Sequence, residues 1–305
     1  MHFLAAYIMR GRLPAMTVAS TLAILSLLFP PLSIFFFGIM SSATVALVTL
    51  RKGAYEGALV LIASVGATAL LGGLMFKNFQ ITLGYGLALW LPIWLIATVL
   101  REGRQLALAL EISTLLAAVG ICGYYLFGSN PASTWFEGMK QMLEPALVAM
   151  PPEIDRVEVT ERLEKMSHYM TGFFATGYML NLILGLFLAR WWQAQLYNPG
   201  GFRTEFLSLR INRTAAYLCL GLVALALSAD GLLSELAWNV LILVFVLYLI
   251  AGTAVLHSLL AASKASKVLL PIMYVVMFFI PHALLPVALI GYGDTWLNLR
   301  SKVSG

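Results

Sequence analysis

Long apolar segments alternate along the chain with short breaks that carry charges or prolines. Nine segments are long enough to be candidate spans: residues 13–29, 32–50, 54–76, 79–100, 105–127, 168–189, 214–229, 236–261 and 268–290. A bilayer interior of about 30 Å requires roughly 20 apolar residues per helix, and helices satisfy their own backbone hydrogen bonds there. We therefore predict an all-α, polytopic transmembrane helical bundle with about nine spans.

Composition and charge support a membrane location and exclude nucleic acid as a partner. The chain is 61% hydrophobic and 11% charged, whereas soluble domains carry about 25% charged residues. With the N-terminus in the cytoplasm, 12 of the 19 Lys and Arg residues fall on the cytoplasmic side, as the positive-inside rule expects. The net charge of +5 is thus explained by basic residues in cytoplasmic loops, and the lipid bilayer is the expected environment.

Two proline-containing breaks leave the number of spans open. Pro30-Pro31 is the only connection between the first two segments, and Pro281 and Pro286 interrupt the last one. Proline removes a backbone donor and breaks or kinks a helix. Nine spans place the C-terminus outside, whereas a re-entrant last segment or an interfacial first helix gives eight spans.

The predicted spans fall into two groups separated by a polar interruption. Residues 1–127 form an N-terminal five-span bundle, residues 128–167 an extracytoplasmic loop, and residues 168–305 a C-terminal four-span bundle. The loop has apolar residues at helical spacing, which predicts an amphipathic helix on the membrane surface that acts as a lid or brace: Trp135, Phe136, Met139, Met142 and Leu143. Residues 153–166 are expected to extend the sixth span.

A cytoplasmic linker, residues 190–213, carries the most specific pattern. Residues 189–213 read ARWWQAQLYNPGGFRTEFLSLRINR, which predicts an interfacial aromatic belt, a turn and a short amphipathic helix. Together with the opening Ile8-Met9-Arg10-Gly11-Arg12, this stretch resembles the YybS-like family of predicted bacterial membrane proteins, a domain of unknown function. That family is distantly similar to the S components of energy-coupling-factor transporters, which bind vitamins or metal ions.

The resemblance implies a bacterial inner-membrane location and docking on a transmembrane coupling subunit with ATPases. S components dock through an Ala-x-x-x-Ala pattern on the first span, and Ala15, Ala19 and Ala23 have this spacing. Small residues on one face let another helix approach closely, so internal packing is the alternative. The linker offers further docking candidates, for which membrane anchoring is an equal explanation: Trp191, Trp192, Asn198, Gly200 and Gly201.

Polar residues inside the spans are candidate ligand contacts, because burying them in a membrane is costly. Glu111 is the one acid well inside a span, and its alternative role is an ion pair with Arg104. Asn181 lies four residues from Gly177 and from Gly185, which indicates either a ligand contact or helix packing.

Two further candidates complete the predicted ligand site. His282 lies between two prolines, where a broken helix frees backbone carbonyls for a site. Trp135 belongs to the outer amphipathic helix, beneath which we expect the pocket.

The sequence predicts no enzyme, no cofactor and no metal site. Gly291-Tyr292-Gly293-Asp294 matches the Gly-x-Gly-Asp of intramembrane aspartyl proteases, but that chemistry needs two aspartates in contact within the membrane. Asp230 and Asp294 are expected at outer helix ends, and the match is interpreted as a turn. We predict a solute-binding or transport subunit resembling an S component; the alternative is a membrane scaffold that recruits a partner through residues 190–213.

Overall fold

The chain folds into a bundle of α-helices. The computed structural model describes residues 2–28, 32–128, 130–148, 151 and 155–302, and the regular structure of these residues is entirely helical. The helices are α1 (His2–Ile8), α2 (Arg12–Leu28), α3 (Leu32–Lys52), α4 (Ala54–Phe76), α5 (Phe79–Gly103), α6 (Leu106–Phe127), α7 (Pro131–Val148), α8 (Arg156–Tyr197), α9 (Gly201–Leu207), α10 (Arg213–Ser228), α11 (Gly231–Ala261), α12 (Ser266–Phe279) and α13 (Leu284–Leu297). The all-α prediction is confirmed.

Side-chain caps and turn residues fix where several helices begin. Asn78 accepts a hydrogen bond from the Ile81 amide at the start of α5. Asp155 and Asn212 cap α8 and α10 in the same way. Gly53 adopts φ = 108° between α3 and α4, a conformation that favours glycine. These polar residues stand at the breaks between apolar segments, which is why the segment pattern predicts most helices well.

The predicted count of nine spans is not supported. Within the described residues, six helices are long and apolar enough to cross a membrane, or seven if the bent pair α12–α13 counts as one span. The first and seventh predicted spans correspond to α2 and α10, which have 17 and 16 residues. At 1.5 Å per residue each measures about 25 Å, less than the hydrocarbon thickness. Pro30 and Pro31, on which one alternative depended, lie outside the described residues.

The last predicted span consists of two helices with a sharp bend between them, the geometry of a broken span or a re-entrant loop. α12 and α13 meet at 113°, with Pro281 at the break. α13 packs so closely on α11 that a Cβ atom on Gly252 would lie 1.8 Å from the Val287 carbonyl oxygen. The Arg300 guanidinium then donates to the carbonyls of Leu207 and Leu209. The C-terminal end therefore lies beside the linker, opposite to the side that nine spans require.

Loops that were predicted to share the cytoplasmic side are brought together. Arg12 binds Glu56 in a bidentate pair at 2.6 and 2.8 Å, which joins α2 to α4. Arg51 lies 4.0 Å from the ring centroid of Tyr197, and Arg101 donates to the Leu50 carbonyl at 2.6 Å. These contacts agree with the predicted alternation of loops.

The predicted amphipathic helix of the polar interruption is α7, which forms a helical hairpin with α8. α8 runs unbroken for 42 residues, so the predicted extension of the sixth span is present from Arg156 onward. α7 packs along that extension: Arg156 donates to the Val148 carbonyl at one end, and Trp135 contacts Thr171 at the other. Part of the apolar stripe of α7 thus packs against α8, whereas Met142 of the same stripe is exposed.

Candidate functional site

An apolar cavity of about 560 Å³ lies between α3, α5 and α8, in the half of the bundle away from the linker. We call it the Asn181 cavity. Its lining is aromatic and aliphatic apart from one amide: Phe35, Tyr85, Ala88, Leu89, Phe173, Phe174, Gly177, Tyr178 and Asn181. Its volume falls within the range of about 300–1,000 Å³ that is typical of small-molecule sites.

The side chain of Asn181 is the one buried polar group of the lining with an unpaired atom. Asn181 is 8% exposed, and its Nδ2 donates to the Phe35 carbonyl oxygen at 3.4 Å, a long hydrogen bond. Its Oδ1 is buried and has no hydrogen-bond partner. The reverse orientation of the amide would set Oδ1 against the Phe35 oxygen, so the donor contact fixes the carbonyl as the unpaired end. Leaving a buried acceptor unpaired costs about 1–3 kcal/mol.

The hydroxyl groups of the two lining tyrosines both have partners within the protein. Tyr178 donates to the Ala88 carbonyl at 2.5 Å. The Tyr85 hydroxyl lies 2.5 Å from Ser26 Oγ, and either oxygen can donate to the other.

The mouth of the cavity faces sideways and outward. Phe173 and Phe174 are 57% and 60% exposed, and Phe35 is 43% exposed. Trp135 stacks on Phe174 with centroids 4.4 Å apart, and its indole N–H donates to Thr171 at 2.9 Å. Two predicted ligand residues, Trp135 and Asn181, therefore belong to one site, with Trp135 at its rim.

Sequence reasoning missed a second polar cluster on the opposite face of α8. Asn239 donates to the carbonyls of His168 and Glu235 at 2.6 and 2.8 Å, and its Oδ1 accepts from the Gly172 amide at 2.5 Å. Glu235 receives hydrogen bonds from Tyr125 and His168, both at 2.5 Å. Apart from the Asn239–Glu235 contact within α11, these contacts join helices remote in sequence, so the helical period gives no signal for them.

The other two predicted ligand residues lie elsewhere. Glu111 accepts from the Asn212 backbone amide at 2.7 Å and so holds the linker at the start of α10, while Arg104, its predicted partner, lines a different pocket. His282 is exposed in the turn between α12 and α13. Neither residue reaches the Asn181 cavity.

The predicted docking residues serve mainly in packing and turns. Ala15, Ala19 and Ala23 are completely buried, and the Ala19 carbonyl accepts from Ser41 on α3. A partner cannot reach these alanines in this conformation. Trp192 is also completely buried, whereas Trp191 is 38% exposed.

The turn of the linker explains its Asn-Pro-Gly-Gly run. Asn198 ends α8, and Gly200 adopts φ = 86°. A Cβ on Gly201 would lie 2.4 Å from the Asn198 side-chain amide, so a larger residue would require that side chain to move. The apolar residues that follow, Phe202 and Phe206, pack on Phe187 of α8.

The Gly-x-Gly-Asp match lies within a helix, which corrects its interpretation as a turn. Residues 291–294 are part of α13, where Gly291 permits the close contact with α11. Asp294 is 2% exposed and binds Arg300 at 2.7 Å. The aspartate therefore anchors the C-terminal end beside the linker.

Fold and composition define a polytopic α-helical membrane protein. The chain belongs to DUF2232, a family described as a predicted membrane protein, whose model matches residues 17–295. The YybS-like resemblance agrees with this assignment, while the similarity to S components stays a prediction. No curated protein and no solved structure matches the chain.

Proposed function

We propose that this protein binds a small solute in the Asn181 cavity, as a binding or transport subunit of the bacterial inner membrane. The observation that carries the proposal is the apolar cavity of about 560 Å³ between α3, α5 and α8, which has the size of a small-molecule site. Asn181 is its one amide-bearing lining residue, and the Oδ1 of this side chain is buried without a hydrogen-bond partner.

The alternative of a scaffold acting through residues 190–213 is less favoured. Its apolar helix α9 packs on its own bundle, and Glu205 of α9 forms an ion pair with Arg190. Arg300 and Arg210 further tie the linker to the C-terminal end of the chain. These contacts occupy the apolar face of α9, while the residues of the linker that stay exposed include Trp191, Asn198 and Gly200.

Ligand-dependent stability in lipid nanodiscs tests the proposal. We expect a binding solute, at a hundred times its dissociation constant, to raise the free energy of unfolding by about 2.7 kcal/mol. The screen should contain both water-soluble and lipid-soluble compounds, because the cavity mouth faces sideways between the helices and also outward.

A matched pair of glycine variants shows whether the effect arises in the cavity. A Cβ on Gly177, in the lining, and a Cβ on Gly66, exposed on α4, would each meet no atom within 4 Å. Gly177→Phe should fill the cavity and abolish the stabilisation, while Gly66→Phe should retain it. Equal responses of the two variants, or no stabilising compound at all, would contradict the proposal.

A further inference from the structure

A second pocket, of about 420 Å³, opens among helix ends on the linker side, and its lining is mainly polar. We call it the arginine pocket, because the three cations of its described lining are all arginines: Arg101 near the end of α5, Arg104 between α5 and α6, and Arg190 of α8. It shares no lining residue with the Asn181 cavity. It is therefore a separate candidate site.

The charge of Arg190 is balanced within the protein. Its Nε and Nη2 bind the two carboxylate oxygens of Glu205 in α9, and its Nη1 donates to Gln193. A guanidinium has five N–H groups, so two of them stay available to a ligand. Arg190 can thus add hydrogen bonds to an anion without supplying net charge.

Arg101 and Arg104 supply positive charge that the protein does not fully balance. Arg101 gives one N–H to the Leu50 carbonyl at 2.6 Å, and its Nε lies 3.7 Å from Glu102, whose side chain is 74% exposed. An ion pair this long and this exposed contributes little. Arg104 makes no side-chain hydrogen bond or ion pair with the residues that the structure describes. The pocket thus has an excess of positive charge, which favours an anion over a cation.

Aromatic side chains place the arginine pocket at the level of the lipid headgroups. Trp191 directly follows Arg190 and is exposed, and the exposed Tyr197 lies under the Arg51 guanidinium at 4.0 Å. Exposed tryptophan and tyrosine at the ends of spans are typical of the membrane–water interface. Phosphate is the anionic group that lipids hold at this depth, and basic pockets between transmembrane helices bind such headgroups.

Phosphate also suits the donors of this pocket. The planar guanidinium presents parallel N–H groups that match two oxygens of one phosphate, whereas lysine acts as a point charge. Arginines from α5, from the loop after it and from α8 approach from different elements, and a tetrahedral anion has enough oxygens to accept from all of them.

We propose that the arginine pocket binds one phosphate group, supplied by an anionic lipid headgroup or by a soluble phosphate ester. Arg101 and Arg104 balance its charge, and Arg190 adds N–H donors. Bound there, the phosphate joins the ends of α5 and α8 to the linker. The site is independent of the solute site proposed for the Asn181 cavity.

Two probes distinguish the sources of the phosphate. Native mass spectrometry of the purified protein compares the dissociation constants of phosphatidylglycerol and of phosphatidylcholine with the same acyl chains. We expect phosphatidylglycerol to bind about tenfold more tightly, because the choline headgroup brings its own cation to the arginines. Glycerol 3-phosphate, added to the protein in phosphatidylcholine nanodiscs, tests the soluble source through the shift in the unfolding midpoint.

Three variants assign the binding to the pocket. Arg104→Gln should reduce the preference for phosphatidylglycerol to about twofold, because it removes a guanidinium that has no partner in the described structure. Lys264→Gln, in the exposed turn between α11 and α12 on the same side, also removes one positive charge and should retain the full preference. Glu102→Gln should increase the preference about threefold, because it removes a competing carboxylate. Loss of folding cannot produce changes of opposite sign at two neighbouring positions.

The outcomes decide both the site and the source. A lipid preference that Arg104→Gln reduces supports the site and assigns the phosphate to the membrane. Stabilisation by glycerol 3-phosphate that Arg104→Gln abolishes supports the site and assigns the phosphate to a soluble ester. Equal losses in Arg104→Gln and Lys264→Gln would show an effect of overall charge and overturn the site. A wild-type protein that responds to neither probe would also overturn it, while the solute-binding proposal would stand.

Discussion

Two buried asparagines of the bundle, Asn181 and Asn239, illustrate opposite uses of the same side chain. Asn239 is completely buried, and both ends of its amide are paired, with Tyr125, His168, Glu235 and Gly172. Asn181 is nearly as buried, but it makes one long contact and leaves Oδ1 unpaired. The first amide closes a network between helices, whereas the second belongs to a cavity-lining residue and leaves its oxygen unpaired.

The difference teaches how to separate packing from binding among intramembrane polar residues. Burial is similar for both residues, and both lie next to glycines, so neither property distinguishes them. The two residues differ in how many hydrogen-bonding atoms of the side-chain amide have a partner. A saturated amide stabilises the fold, and an unsaturated amide in a cavity wall costs stability that a ligand can restore.

The largest effect is expected for Asn239→Leu. This substitution removes the partner of the Gly172 amide and disconnects α11 from α8, so we expect a loss of about 2–3 kcal/mol in the free energy of unfolding. Unfolding by SDS titration in bicelles measures it. A loss below about 0.5 kcal/mol would show that the network contributes little.

Gly172→Ala tests the same contact through shape alone. A Cβ at this position would lie 2.7 Å from the Asn239 backbone oxygen and 2.9 Å from its Cα, so α8 and α11 must move apart. We expect a loss of about 1–3 kcal/mol. Gly177→Ala on the same helix is the control, since its Cβ meets no atom within 4 Å and the better helix propensity of alanine should leave stability equal or slightly higher. Equal losses for both variants would contradict the close contact at Gly172.

Asn181→Leu should raise the free energy of unfolding, whereas Asn239→Leu and Gly172→Ala should lower it. Replacing an unpaired amide with an apolar side chain of similar size removes an unsatisfied acceptor, and we expect the free energy of unfolding to rise by about 1 kcal/mol in the absence of ligand. The same SDS titration applies. If this variant is destabilised as strongly as Asn239→Leu, then Asn181 is a packing residue like its counterpart.

A test of chain topology should leave stability unchanged. It asks whether the linker and the C-terminal end lie on the same side of the membrane. The docking of Arg300 on Leu207 and Leu209 places the C-terminus on the linker side. A reporter fused after Gly305 and a cysteine at the exposed Gln195 of the linker should therefore be accessible from the same side. Accessibility from opposite sides would restore an odd number of spans.

Local sequence patterns predicted most of the helices and part of the site. The apolar segments gave the helices, and the polar interruption predicted the long extension of α8. Asn181 and Trp135 were found because one is a lone amide in a span and the other belongs to an amphipathic stripe. Both signals are readable along a single helix.

The rest depended on contacts between helices that no local pattern encodes. Tyr125 and Glu235 are 110 residues apart, and Asn239 and His168 are 71 apart. The prolines around His282 indicated a break, but the direction of the bend is set by the contact of Gly252 with α13. The alanine stripe of α2 left docking open beside the more common explanation of internal packing, and its complete burial favours packing.

Photolabelling tests the central claim most directly. A compound that stabilises the protein, fitted with a diazirine and irradiated in nanodiscs, should label peptides of α8 around Phe173–Asn181 and of α5 around Tyr85–Leu89. We expect an excess of the unmodified compound to suppress this labelling and Gly177→Phe to abolish it, while Gly66→Phe retains it. Labelling spread evenly over the lipid-facing helices, with no competition and no difference between the two glycine variants, would contradict the account.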